Sequence, residues 1–156
     1  MVRIEMEDGG VITIALDHDA APKTVENFEK LVSEGFYDGL IFHRVIRGFM
    51  IQGGDPTGMG GADENIVGEF ALNGHPNPIS HKRGVISMAR AQDFNSASSQ
   101  FFIVHEDAPY LDEQYAAFGH VVDGMDVVDE IANVPTGYMD RPRTDMRMKK
   151  VTLVED

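Results

Sequence analysis

Two short apolar runs, Val2–Met6 and Val11–Leu16, lie on either side of Asp8-Gly9-Gly10. In the second run Ile12, Ile14 and Leu16 alternate with Val11, Thr13 and Ala15, the period of two that sends successive side chains to opposite faces of a strand. Aspartate followed by glycine supplies the backbone freedom of a tight reversal, so the chain is predicted to begin with a β-hairpin. Similar runs recur at 41–46, 49–52, 84–89, 101–105, 117–122 and 149–155, making about eight short strands. Two segments change to helical period. In 22–34, Val25, Phe28, Leu31 and Val32 share one face, with Pro22 suited to a first turn and Gly35 to the C-cap. In 125–133, Val127, Val128 and Ile131 do the same. Strands and helices do not alternate, which excludes a βαβ fold, and many short strands predict a β-sandwich or a β-barrel. Periodicity does not choose between them.

The 156 residues suit a single domain, 1–156, with no internal repeat or linker. Cysteine is absent, which removes disulfides, thiolate metal sites and a thiol nucleophile together. The formal net charge of -13 is unevenly spread: residues 101–136 hold eight acids and no Lys or Arg, whereas 41–100 hold five of each sign. Such a surface repels nucleic acid and anionic membranes, so neither is expected as a partner. Residues 1–8 carry one Arg against three acids and no apolar core of a leader peptide. The longest apolar stretches are far too short to span a bilayer. A cytoplasmic, monomeric protein is expected.

Common catalytic signatures are missing. There is no G-x-S-x-G, and 53–58 lacks the closing Lys-Ser/Thr of a phosphate loop. His105-Glu106 does not extend to a zinc-protease motif, because Pro109 stands where the second His belongs. The histidines at 18, 43, 75, 81, 105 and 120 have no ligand spacing, so neither metal nor cofactor is expected. Residues 53–82 hold seven Gly and three Pro, with only 69–72 resembling a strand, and so long an irregular segment is often functional.

The informative segment is Phe42-His43-Arg44-Val45-Ile46-Arg47-Gly48-Phe49-Met50-Ile51-Gln52-Gly53-Gly54-Asp55. At strand spacing Arg44 and Gln52 emerge on one face of adjacent strands, beside Phe49 and Met50. Composition alone also allows an ordinary strand-end cation beside core residues. A second segment, Ser87-Met88-Ala89-Arg90-Ala91, leads through a small, polar loop to Gln100-Phe101-Phe102-Ile103, and Tyr110-Leu111-Asp112 follows. Together, and in this order from about residue 2 to 155, these segments resemble the cyclophilin family of peptidyl-prolyl cis-trans isomerases.

The resemblance implies a mainly β fold: a closed eight-stranded antiparallel barrel capped by two α-helices, with the substrate groove on its outer wall. It implies Arg44 as the catalytic arginine and Gln52 as the polar positioning residue. Phe49, Met50, Phe102 and Leu111 would form a proline pocket. Ala89, Arg90 and Ala91 would line the groove, Gln100 would contribute from the neighbouring strand, and Tyr110 and Tyr115 would complete the rim. The implied partners are proline-containing peptides and unfolded or folding proteins. Well-known eukaryotic members have Trp at the position of Tyr110, His at that of Tyr115 and Asn at that of Arg90, so weakened affinity for cyclosporin is expected. Arg90 is expected to add a cation beside the groove that favours acidic residues before the proline. The loop 58–61 looks shortened. Phe101 and Met88 are expected in the core, and His43 in a structural role. A proline-peptide binding module with the same fold, and a ligand carrier of lipocalin type, are the alternatives from other functional classes.

Overall fold

The computed structural model describes residues 1–56 and 65–155; the expected shortening at 58–61 lies outside them. The strands are β1 (Val2–Met6), β2 (Val11–Leu16), β3 (Arg44–Ile46), β4 (Met50–Gly53), β5 (Val85–Met88), β6 (Phe101–Val104), β7 (Ala117–Asp123) and β8 (Met148–Leu153). The helices are α1 (Pro22–Ser33) and α2 (Met125–Ala132). The hairpin forms where Asp8-Gly9-Gly10 predicts it: Gly9 takes φ 98° and Asp8 Oδ1 accepts from the Gly10 N–H at 2.9 Å.

All eight strands join one antiparallel sheet in the order β3-β4-β6-β5-β7-β2-β1-β8. This ladder has two ends, so the sheet is open, a half-barrel rather than the closed barrel expected. The cause lies at β3, which spans only three residues. The chain entering β3 meets the start of β8 through one bridge, Ile41 to Arg147, and through backbone bonds linking Gly39 and Leu40 with Met148, and Phe42 with Met146. These draw the two edges together without a continuous ladder.

Alternation along the strands divides the apolar residues into two clusters. The inner one takes Ile4, Ile12, Ile14, Val45, Ile51, Ile86, Phe101, Ile103 and Phe118, and the buried faces of both helices complete it. Phe28 of α1 packs with Phe118, Tyr37 and Phe101 at ring distances of 5.0, 5.2 and 5.7 Å. Each ring fully buried contributes roughly 2–3 kcal/mol relative to exposure. Met88 and Phe101 are both in this core, 1% exposed, as expected. The outer cluster contains Met50, Val85, Phe102, Val104, Leu111 and Ala117. β5 and β6 are therefore buried on both faces, which explains why β6 is apolar throughout and β5 apolar but for Ser87.

Residues 69–72 do not form a strand. Glu69 and Phe70 are buried and a 3-10 turn follows at Ala71–Asn73. The Glu69 carboxylate accepts from the Thr24 N–H and Thr24 hydroxyl at 2.6 and 2.7 Å. It thereby satisfies the first turn of α1, whose N-cap, Ala21, has no side chain able to do so. Gly54 takes φ 93°, and a Cβ there would lie 2.6 Å from the Ser99 carbonyl oxygen. Glycine thus allows the end of β4 to approach the segment entering β6, where Ser99 Oγ donates to the Gly54 carbonyl at 2.7 Å.

Candidate active site

Arg44 of β3 and Gln52 of β4 are directly paired across the ladder. Cross-strand partners project from the same face, and Arg44 Nη1 donates to Gln52 Oε1 at 3.3 Å. Gln52 Nε2 in turn donates to Gln100 Oε1 at 2.9 Å, and Gln100 hydrogen-bonds the His43 imidazole. Burial holds the His43 pKa below the usual histidine range, and the nearby guanidinium groups of Arg141 and Arg44 push it the same way, against Asp55 and the Gln100 bond. A neutral imidazole therefore anchors a polar line that ends at the exposed Arg44 side chain. Its Nδ1 is the one buried side-chain polar atom without a partner among the described residues.

Beside this line is a concavity of about 110 Å³, lined by Arg44, Phe49, Met50, Gln52, Ala89, Arg90, Phe102, Leu111 and Tyr115. Nine of the twelve residues singled out in the sequence thus meet around one small hollow of mixed polar and apolar lining. The Tyr115 ring stands edge-on to Phe102 at 5.8 Å. The other three lie nearby. Gln100 sits behind Gln52, and Tyr110 is exposed, its ring 6.0 Å from that of Phe49. Ala91 is exposed and its N–H is donated to Ser96 Oγ at 2.9 Å.

Arg90 lines the hollow as expected, with its charge held in the wall. Its guanidinium carbon lies 5.0 Å from the centroids of Phe70 and Phe94 and 4.7 Å from that of Tyr115. Nε and Nη2 donate to the Gln114 carbonyl at 3.0 and 2.7 Å, and Nη1 to that of Ala91 at 2.9 Å. The charge is engaged by three rings and by backbone oxygens, so the side chain braces the groove wall instead of presenting a spare cation. The Arg90 peptide N–H and carbonyl, by contrast, have no hydrogen-bond partner among the described residues.

Two supports of the hollow escaped the sequence reading. His81 is 1% exposed; its Nδ1 meets Asp112 Oδ1 and its Nε2 meets Ser87 Oγ, both at 2.9 Å. The order Ser-His-Asp suggests a nucleophile, but Ser87 is fully buried within β5 and no substrate reaches it. The imidazole instead stacks on Phe102. The second support is His105. Its N–H donates to the Phe49 carbonyl at 2.8 Å, and its Nδ1 accepts from the Gly48 N–H at 2.9 Å. Its Nε2 therefore carries the proton facing Asp129, at 3.1 Å, and Arg83 clasps the same carboxylate with two bonds of 2.7 Å. His105 thereby holds the turn that delivers Phe49. Neither constellation has a local spacing signal, since Asp112 and Asp129 lie more than twenty residues from the histidines they hold.

The antiparallel half-barrel thus carries an exposed arginine beside a ring-sized hollow. Residues 1–153 match the family model described as cyclophilin type peptidyl-prolyl cis-trans isomerase/CLD. The chain is 43% identical over 148 residues to peptidyl-prolyl cis-trans isomerase-like 1 of Neurospora crassa, covering 94% of this chain and 90% of that protein. It is 46% identical over 128 residues to peptidyl-prolyl cis-trans isomerase B of Bacillus subtilis, covering 82% and 87%. A crystal structure of a Cryptosporidium parvum cyclophilin type isomerase, in the presence of the dipeptide Ala-Pro, superposes with a TM-score of 0.89 at 32% identity and covers 99% of both chains. The chain belongs to the cyclophilin family and is a peptidyl-prolyl cis-trans isomerase. Among the described residues, no helix is long and apolar enough to cross a membrane.

Proposed function

We propose that Arg44 is the catalytic group of this isomerase, that Gln52 positions it, and that the hollow of Phe49, Met50, Phe102 and Leu111 grips the proline ring. The observation that carries this reading is the guanidinium held by Gln52 at the edge of a pocket of about 110 Å³, room for one small ring. Rotation about a peptide bond meets a barrier of roughly 18–20 kcal/mol because resonance makes the C–N bond partly double. In the twisted transition state the nitrogen lone pair is no longer delocalised and accepts a hydrogen bond well. A guanidinium directed at that nitrogen stabilises the twisted amide more than the planar one, and each ~1.4 kcal/mol of such difference gives a tenfold rate. No proton transfer or covalent intermediate is needed. The N–H and carbonyl of Arg90, without a hydrogen-bond partner among the described residues, suit pairing with an extended substrate backbone, which would hold one side of the bond while the other turns.

Residues 1–156 are read as one working unit that assists the folding of proline-containing cytoplasmic proteins as a monomer. Tyr110 in place of an indole removes an N–H donor from the rim, so cyclosporin binds with reduced affinity.

The test is cis-trans exchange of a short Xaa-Pro peptide, measured by NMR with the wild type and with Arg44→Ala. Exchange accelerated by the wild type and sharply reduced in the variant, while the peptide still perturbs pocket resonances, supports the mechanism. Equal exchange by the two proteins refutes the role of Arg44. Binding without exchange in the wild type would make the groove a recognition module.

A further inference from the structure

Arg44 also lines a second and much larger concavity, of about 860 Å³, whose walls otherwise share no residue with the proline hollow. Its walls come from residues 39–41 and His43, from Asp55 and Pro56, and from residues 138–141, Asp145 and Arg147 of one segment. The last of these is a built loop. Thr136 bridges to Pro142, the Gly137 N–H donates to the Arg141 carbonyl at 2.8 Å, and the tip is the 3-10 turn Tyr138–Asp140. At that tip Met139 and Asp140 both take φ 59°, the left-handed region that side chains with a Cβ avoid. The strain has a visible result. Tyr138 is 89% exposed and Met139 71%, the two most exposed large hydrophobics among the described residues.

The charged groups of the cleft are largely occupied with one another. Arg141 pairs with Asp145 at 3.3 Å, and Asp145 with Arg147 at 3.3 Å. Arg147 also reaches Glu7 at 3.7 Å and donates to the Gly39 carbonyl. In a chain of net charge -13, this region offers a nearly neutral wall topped by an aromatic ring and a thioether. An apolar pair held out into water by a strained backbone gains contact area only when something covers it. Arg44 belongs to both hollows, so a polypeptide whose proline occupies the small one has its flanking residues at the mouth of the large one.

We propose that this cleft is a second subsite for the substrate polypeptide, in which Tyr138 and Met139 grip an apolar or aromatic side chain flanking the proline. The inference rests on the assignment of the small hollow as the proline site. It assigns this enzyme a preference for extended clients, set by residues outside the proline pocket.

Three peptides test it: a blocked Ala-Pro core, and that core extended by four residues, including one Phe, at either its N- or its C-terminal end. Each is assayed for exchange by wild type and by Tyr138→Ser/Met139→Ser, two exposed positions whose replacement leaves the core intact. One extension should lower KM about fivefold relative to the core peptide, and the double variant should abolish that gain without changing kcat or turnover of the core. The Met139 methyl resonance should shift with that extended peptide and not with the core. Equal KM for all three peptides, or a gain that survives in the variant, overturns the subsite. An unmoved Met139 methyl overturns it independently of catalysis. Failure of the wild type to accelerate the core peptide would instead count against the proline-site assignment.

Discussion

The His81 imidazole lies nearly parallel to the Phe102 ring, with centroids 6.0 Å apart and planes inclined by 19°. Asp112 and Ser87 hold its two nitrogens, so a buried polar pin sets the orientation of a ring that lines the hollow. Replacing His81 with Phe keeps the stack but leaves Asp112 and Ser87 short of partners. The expected cost is ~1–3 kcal/mol of stability, measured by urea unfolding.

Acid stability follows from the same residue. Burial lowers the pKa of His81 below 6.5, against the pull of Asp112, and burial lowers that of His43 likewise. The unfolded chain then binds more protons than the native one, so stability is full above pH 6.5 and falls as pH drops below it. Asp112 and Asp129 also have lowered pKa values. The hydrogen bond from Arg83 is the main cause for Asp129, and for Asp112 the bonds from Ser80 and His81 outweigh burial, which acts the other way. Their contribution is lost only below pH 3.8. Unfolding free energies measured from pH 7.5 to 5 should decline, and the slope should be shallower in His81→Phe. A flat profile would contradict the assignment of neutral imidazoles.

At the alkaline end Tyr37 acts in the opposite sense. It is fully buried, its hydroxyl donates to the Ser99 carbonyl at 2.8 Å, and burial raises its pKa far above 10. Stability from this group is complete below pH 10 and is lost as pH rises beyond it. Tyr37→Phe should flatten the alkaline limb seen by circular dichroism.

Gln52 is expected to matter through Arg44. Gln52→Leu removes the bond of 3.3 Å to the guanidinium and the bond of 2.9 Å to Gln100. We expect kcat for the short peptide to fall about tenfold, corresponding to ~1.4 kcal/mol, with little change in KM. Unchanged kcat would show that Arg44 is aimed by something else.

Arg90→Lys separates charge from shape. An ammonium keeps the charge near Phe70, Phe94 and Tyr115 but loses the planar donors to the Gln114 carbonyl. The expected result is about 1 kcal/mol of lost stability and a raised KM as the Tyr115 rim loosens. Unaltered preference between Glu-Pro and Ala-Pro peptides in this variant would agree with the engaged state of the guanidinium.

The parts of this molecule legible in the sequence are those written in local periods. The hairpin follows from alternation and both helices from a helical period, and, with Phe102 set outward by the resemblance, alternation sends Phe101 inward. Residues 69–72 misled because Phe70 and Leu72 alternate with Glu69 and Ala71 as in a strand. Glu69 is instead drawn inward by Thr24, forty-five positions away, and no local pattern records that bond. Closure of the sheet, which the resemblance implied, depends on how far the ladder persists between residues 39–42 and 146–148, and no local pattern records that. The His81 and His105 supports are three-dimensional coincidences of distant residues. The direction of Arg90 was hidden because residue type alone does not say whether a cation faces a ligand or three neighbouring rings.

The alternation along β4 and β6 divides labour between the two surfaces of the same strands. Ile51, Phe101 and Ile103 face the interior, whereas Met50, Gln52 and Phe102 face the hollow. A substitution at an outward position therefore alters the lining of the hollow, while the side chain one residue away packs on the opposite surface. Such a wall can be remodelled in single mutational steps, while the inward set carries the inheritance of the fold.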